Sequence, residues 1–206
     1  MGHQRSIRSG RIERCDVCRL AVGLCLCGQW PTVASRPRIL VIRHSMERKR
    51  PSNTGRVLCH MMPDARLLDF GAPEERLTED AVRAAIGADR PVVLYPQDDA
   101  SVLAPEMLEG NERLCLIALD GTWGQASSMN RRVPGLAGIP RVRLPDGTLP
   151  VDYLRKNHME NRCSTAEAVI HACSALGDVD AAAQLRMGLN AWVTRARSLR
   201  HGGRGG

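Results

Sequence analysis

The sequence predicts an α/β fold behind a small cysteine-rich module. Three observations carry that expectation. Short apolar runs stop abruptly on polar or turn-forming residues, as strands of a buried sheet do. Between them lie helical segments with capping residues and acidic first turns. Ahead of the first run sit two close cysteine pairs.

Residues 1–14 are polar and rich in arginine, and they are expected to be disordered or to touch RNA phosphates. Cys15-Asp-Val-Cys18 and, six residues on, Cys25-Leu-Cys27-Gly28 follow. Two pairs on tight turns place four thiolates at the corners of a tetrahedron, the closed geometry of structural zinc, with no open position for a reacting water. Residues 15–36 are therefore expected to form a zinc knuckle held by Cys15, Cys18, Cys25 and Cys27, although four thiolates also suit an iron–sulfur cluster. Cys59, Cys115 and Cys173 lack such spacing and are expected in the core.

The main domain is expected over 37–199. Arg38 to Ile42 is its first strand, ending in a loop that carries Arg48, Lys49, Arg50, Ser52 and Asn53 and hands over through Thr54 to a helix from Arg56 to Met62. Backbone N–H groups at that helix start suit a phosphate or a carboxylate; a solvated basic loop explains the same residues. Leu67-Leu68 fits a short strand, Thr78 to Ile86 a capped helix, and Pro91 to Tyr95 a buried strand that Pro96 ends. The central run Leu114 to Leu119 stops on Asp120-Gly121-Thr122-Trp123. Ligands of open α/β sheets sit beyond the carboxyl ends of strands, so these residues are expected to line a crevice. A helix follows to about Arg132, with Ala126, Met129 and Val133 facing inward. Ile139 to Leu144 alternates arginine with apolar residues, the pattern of a half-exposed edge strand or of cations laid along a nucleic-acid groove. Ser164 or Thr165 caps a helix to Leu176, a last helix runs from about Val179 to Ser198, and 200–206 reads as a flexible tail.

Composition narrows the function. The net charge of +7 fits a partner bearing many phosphates, and all the basic residues but Lys49 and Lys156 are arginine, the side chain suited to bidentate phosphate contacts. No run approaches the eighteen apolar residues of a membrane span, and no apolar segment follows the N-terminal arginines, so a cytoplasmic protein with reduced thiols is expected. No Gly-x-Gly-x-x-Gly follows the first strand, which argues against a nicotinamide-type dinucleotide enzyme.

Taken in order, the knuckle cysteines, Arg50-Pro-Ser-Asn-Thr-Gly55, Leu94-Tyr-Pro96, Leu119-Asp-Gly-Thr-Trp123-x-Gln-Ala126, Leu154-Arg155-Lys156 and Ser164-Thr165-x-Glu167-Ala168 resemble the DTW-domain family of tRNA-uridine aminocarboxypropyltransferases over nearly the whole chain. The chain departs from the family pattern at Ser45, Gly124 and Cys163. The resemblance implies a SPOUT-like sheet flanked by helices with a C-terminal trefoil knot. It also implies transfer of the 3-amino-3-carboxypropyl group of S-adenosylmethionine to N3 of a tRNA uridine. A monomer without an obligate protein partner is expected.

Uridine N3 lies on the Watson–Crick edge, so the base must be unpaired and must lose a proton. Asp120 is the candidate base, or else an anchor for the ammonium of the methionine moiety. Trp123 is a candidate to stack on a base or cover the cofactor. Tyr95, Pro96, Leu119, Asp120, Gly121, Thr122, Ser164 and Thr165 are expected to hold S-adenosylmethionine. Arg48, Lys49, Arg50, Ser52, Asn53, Arg155 and Lys156 are expected to hold tRNA. The alternatives are an RNA methyltransferase using the same cofactor and a non-catalytic zinc-stabilised RNA-binding protein.

Overall fold

The computed structural model describes residues 12–148 and 163–201. The basic N-terminus up to residue 11, the expected contacts Arg155 and Lys156, and the end of the tail lie outside the described residues. The chain is α/β. Strands β1 (Arg38–His44), β2 (Arg66–Phe70), β3 (Arg90–Leu94), β4 (Ser101–Val102), β5 (Leu114–Asp120) and β6 (Arg141–Arg143) form one sheet in the order β2-β1-β5-β3-β6-β4. Every described pairing within this sheet is parallel.

Burial on both faces explains why β1 and β5 read as continuous apolar runs. Alternate residues serve the two sides. Leu114, Leu116 and Ala118 of β5 face a core shared with α1 (Thr54–Met61), α4 (Thr165–Ala175) and α5 (Val179–His201). Cys115 and Ile117 face a second core with α2 (Glu79–Ile86) and α3 (Trp123–Arg132). Cys115 and Cys173 are fully buried as expected.

The helices begin where the capping chemistry predicts. Thr78 accepts from the backbone N–H of Ala81 at α2, and Glu79 and Asp80 complement its dipole. Thr122 with Gln125, and Ser164 with Glu167, close reciprocal capping boxes at α3 and α4. No helix among the described residues is long and apolar enough to cross a membrane.

One expectation needs correction. β6 is not an edge strand, because the two-residue β4, too short to show a period, pairs along its outer side. Its arginines are not laid along a groove either. Arg141 turns its guanidinium onto the carbonyls of Asn130, Leu136 and Ile139 and the amide oxygen of Asn130, closing the end of α3, while Arg143 pairs with Asp146 at 2.7 Å. Of the two alternating cations, one binds a helix terminus and the other a turn carboxylate.

The knuckle packs into the main core. Cys15, Cys18, Leu20, Leu26 and Val33 join the cluster that contains Leu185, Leu189, Trp192 and Val193 of α5. Trp192 is 1% exposed and donates its indole N–H to the carbonyl of Cys18 at 3.0 Å. Arg195 adds bonds to the carbonyls of Leu24 and Cys25. Trp192→Ala is therefore expected to remove packing and a buried donor together, costing about 3–5 kcal/mol, measured as a lowered urea midpoint with an unchanged slope.

Candidate active site and metal centre

β1 and β5 are neighbours whose connections leave in opposite directions, the first through α1 to β2 on one side, the second through α3 to β6 on the other. Their carboxyl ends thus form a topological switch point, where open α/β sheets bind ligands. Arg43 and Asp120 stand opposite each other in register at that edge.

Asp120 is 4% exposed, and both of its oxygens are engaged. Oδ2 accepts from Nδ2 of Asn53 at 2.5 Å, and Oδ1 accepts from the hydroxyl of Thr165 at 2.6 Å. Asn53 is the N-cap of α1, its own Oδ1 accepting from the Arg56 N–H at 2.9 Å, and Thr165 is the first residue of α4. A third link runs from the Ala166 N–H to the hydroxyl of Thr54 at 3.3 Å. One carboxylate therefore ties the starts of two helices to the end of the central strand, where their dipoles favour negative charge.

Close approach makes two glycines necessary here. A Cβ on Gly55 would lie 2.7 Å from Oδ2 of Asp120, and one on Gly121 would lie 2.9 Å from Cβ of Gln125, which folds back over it in the capping box.

The expected ligand residues divide. Leu119, Asp120, Gly121, Thr122 and Thr165 gather at the switch point, and Tyr95 and Pro96 follow β3, whose Leu94 is in register with Ala118. Tyr95 is half-buried on the α3 side of the sheet; Pro96 is exposed. Thr122 and Ser164 serve first as caps: their N–H groups go to Gln125 and Glu167, and their hydroxyl oxygens accept from the same residues. Each hydroxyl still carries a proton to donate. Trp123 opens α3 with 40% of its surface exposed, and two residues on Gln125 reaches the sulfur of the exposed Met46 at 3.8 Å.

Among the expected phosphate contacts, Arg48, Lys49 and Arg50 are exposed and Ser52 is half-buried. Asn53 is not a surface contact. It is 2% exposed, and its amide is spent between the α1 cap and Asp120.

The structure adds residues with no signal in the sequence. Arg43 is 6% exposed and forms a two-pronged ion pair with Asp69 of β2 at 2.7 and 3.0 Å, which Arg48 joins at 3.2 Å. Glu47, fully buried, pairs with Arg50 at 3.2 Å. Partners 26 residues apart meet only because β1 and β2 are adjacent and parallel.

Sγ atoms of Cys15, Cys18, Cys25 and Cys27 lie within 4.8 Å of one another, with Cys15 to Cys27 at 3.5 Å and Cys18 to Cys25 at 3.8 Å. A tetrahedron of thiolates about 2.3 Å from a metal has edges of about 3.8 Å, so the four cysteines can hold a metal ion. Burial pushes the Cys15 thiol up, but backbone N–H groups of Cys18 and Val17 and the thiols of Cys27 and Cys25 bring it down to about 7. Burial, and then the neighbouring thiols, raises Cys18 and Cys27.

The family model for the DTW domain matches residues 12–197, and the chain belongs to that family. It is similar to tRNA-uridine aminocarboxypropyltransferase 2 of Drosophila melanogaster, 26% identical over 171 residues that cover 81% of this chain and 67% of the relative. No solved structure matches the chain significantly.

Two outcomes follow from this geometry. Asp120→Ala leaves the buried Nδ2 donor of Asn53 without an acceptor, and since the Asn53 amide cannot turn without releasing its cap, a loss of about 1–3 kcal/mol is expected, read as a lower melting temperature. Metal must displace protons from thiols that burial raises, so the ion is expected to be retained at alkaline pH and released as pH falls. Titrating zinc-loaded protein with acid in the presence of a colorimetric zinc indicator checks this; release that does not depend on pH would contradict it.

Proposed function

We propose that this chain transfers the 3-amino-3-carboxypropyl group of S-adenosylmethionine to N3 of a uridine in tRNA, giving acp3U and methylthioadenosine. Membership of the DTW family, with a relative named for this activity, supports the class of reaction. The observation that carries it to particular residues is the switch point, where Asp120 gathers two helix starts beside an exposed tryptophan.

In this reading a bond forms between uridine N3 and Cγ of the methionine moiety as the Cγ–sulfur bond breaks, the sulfur leaves in methylthioadenosine, and the N3 proton is lost to a base. Three carbons on the sulfonium are electrophilic, so the site acts by alignment, presenting Cγ to the base and turning the methyl away. Gly121, Leu119 and Thr165, with hydroxyl protons of Thr122 and Ser164, hold the polar parts of the cofactor, and Tyr95 and Pro96 wall its apolar faces. Trp123 and Met46 offer a platform for the splayed base.

Asp120 takes the N3 proton directly or through a water, or holds the methionine ammonium. Two engaged oxygens favour the anchoring role, since each has already accepted one hydrogen bond. Arg48, Lys49 and Arg50, with Ser52, Arg155 and Lys156, hold phosphates, while Asn53 positions Asp120. Zinc is the ion proposed for the knuckle, in a structural role because four thiolates leave no open position. The C-terminal part is read as SPOUT-like with a trefoil knot on the strength of the family resemblance. Protein acting alone in the cytoplasm completes the reading.

Unmodified tRNA incubated with zinc-loaded protein and S-adenosylmethionine is expected to yield, by nucleoside mass spectrometry, a uridine heavier by one aminocarboxypropyl group, with methylthioadenosine released. A methylated nucleoside instead would overturn the chemistry while keeping the cofactor. tRNA binding without product or cofactor affinity would support the non-catalytic reading.

A further inference from the structure

Three arginines from three elements converge between the knuckle and α1. Arg56 occupies the first turn of α1, where the helix dipole disfavours a cation, and no acidic residue accompanies it there. His60 lies one turn on, on the same face, and its ring meets the carbonyl of Val17 in the knuckle turn. Arg19 follows Cys18 in that turn, and Arg43 is the penultimate residue of β1; the charges of both act on Arg56.

Each guanidinium keeps a buried N–H donor with no acceptor among the described residues: Nε of Arg19, Nη1 of Arg43 and Nη1 of Arg56. Their other donors reach Asp16, Asp69 and the carbonyl of Arg48. Unmet donors on three guanidiniums of like charge leave the group short of acceptors, and Arg19 and Arg56, each only half-buried, have outer N–H groups that an anion can reach. Arg56 is held below its ordinary value, first by burial and then by the charges of Arg43 and Arg19, with Asp120 and Asp69 opposing.

Arg19 supplies a separate indication. Its φ is +60°, the left-handed region that glycine enters without steric cost. The turn needs that conformation, because the Arg19 N–H returns to the carbonyl of Cys15 at 2.9 Å while the Cys15 N–H bonds Leu20 at 2.8 Å. A glycine would satisfy the backbone. An arginine kept in a strained conformation suggests selection for the side chain.

We propose that Arg19, Arg56 and Arg43 form a backbone-phosphate subsite for structured RNA, which the exposed Arg48 and Lys49 continue from the knuckle towards the switch point. This rests on the tRNA reading above and deepens it by giving the knuckle a share of the RNA surface. Phosphate fits the requirement because it presents several acceptor oxygens to forked donors from different directions. Arg43, fixed by Asp69, acts as a positioning charge; Arg19 and Arg56 make the contact.

Binding of tRNA by the full-length zinc-loaded chain, measured across a series of KCl concentrations, tests the subsite. Arg19→Gly and Arg56→Gln are each expected to weaken binding several-fold at low salt and to lower the slope of log affinity against log salt by about one, whereas Arg56→Lys retains most of the slope. Arg83→Gln, on the opposite face of the sheet, is the control and is expected to leave both unchanged. Arg19→Gly relieves the strained φ, so its zinc content and melting temperature are expected to match or exceed those of the parent, which separates a lost contact from a damaged knuckle.

Product formation in the same samples separates the two readings. Lower slopes with product support both, and lower slopes without product uphold the subsite and overturn the transfer reaction. Unchanged slopes with product overturn the subsite alone. A parent chain that binds no tRNA overturns both.

Discussion

The carboxylate of Asp120 is the interaction on which the arrangement depends. It ends the central strand, and it is the acceptor on which the starts of α1 and α4 converge, through Asn53 and Thr165. Those helices come from distant parts of the chain, 67 and 45 residues away from Asp120, and no backbone pairing joins them to β5. Hydrophobic packing of α1 and α4 on the sheet is non-directional and fixes their approach only loosely. Two short hydrogen bonds to one buried group fix their ends, and the ends are what face the switch point. Gly55 permits this by leaving room for Oδ2, so a residue without a side chain and a residue with a charged one form a single device.

This device explains why the polar motifs of the chain look like a ligand site even before any ligand is considered. Asn53, Thr122 and Ser164 are all helix caps, and caps concentrate hydroxyls, amides and free N–H groups by necessity. A site assembled from three helix starts is therefore rigid in its scaffold and polar at its rim. The transfer proposed above would ask for that combination, because selection among three similar carbons of a sulfonium rests on orientation alone.

Local chemistry was legible in the sequence to the extent that it is local. The cysteine spacing, the capping boxes and the central strand each occupy a few consecutive residues, so composition and period suffice to find them. Arg43 shows the limit. In sequence it is one arginine among many at the end of an apolar strand; its partner Asp69 becomes its neighbour only through the parallel pairing of β1 with β2. Asn53 misled for a related reason. An asparagine in a basic loop reads as a surface contact, and only its position against Asp120 shows that both ends of the amide face inward. The alternation in β6 suggested an edge because β4, which covers it, is too short to carry a pattern.

The tryptophans extend the argument to the whole molecule. With aromatics so scarce, the core is built from aliphatic side chains, and each indole stands out by where it is spent. Trp192 is buried and joins α5 to the knuckle through the Cys18 carbonyl; Trp123 opens α3 at the rim and stays substantially exposed. The knuckle is thereby held against α5 on one side, and on the other the carbonyl of Val17 rests on His60 of α1. Because α1 starts at Asn53, and Asn53 holds Asp120, a displacement of the knuckle would reach the switch point through a single short helix of eight residues. A metal held by the knuckle would thus bear on the site without touching it, by holding α1 at the far end of the helix whose near end Asp120 fixes.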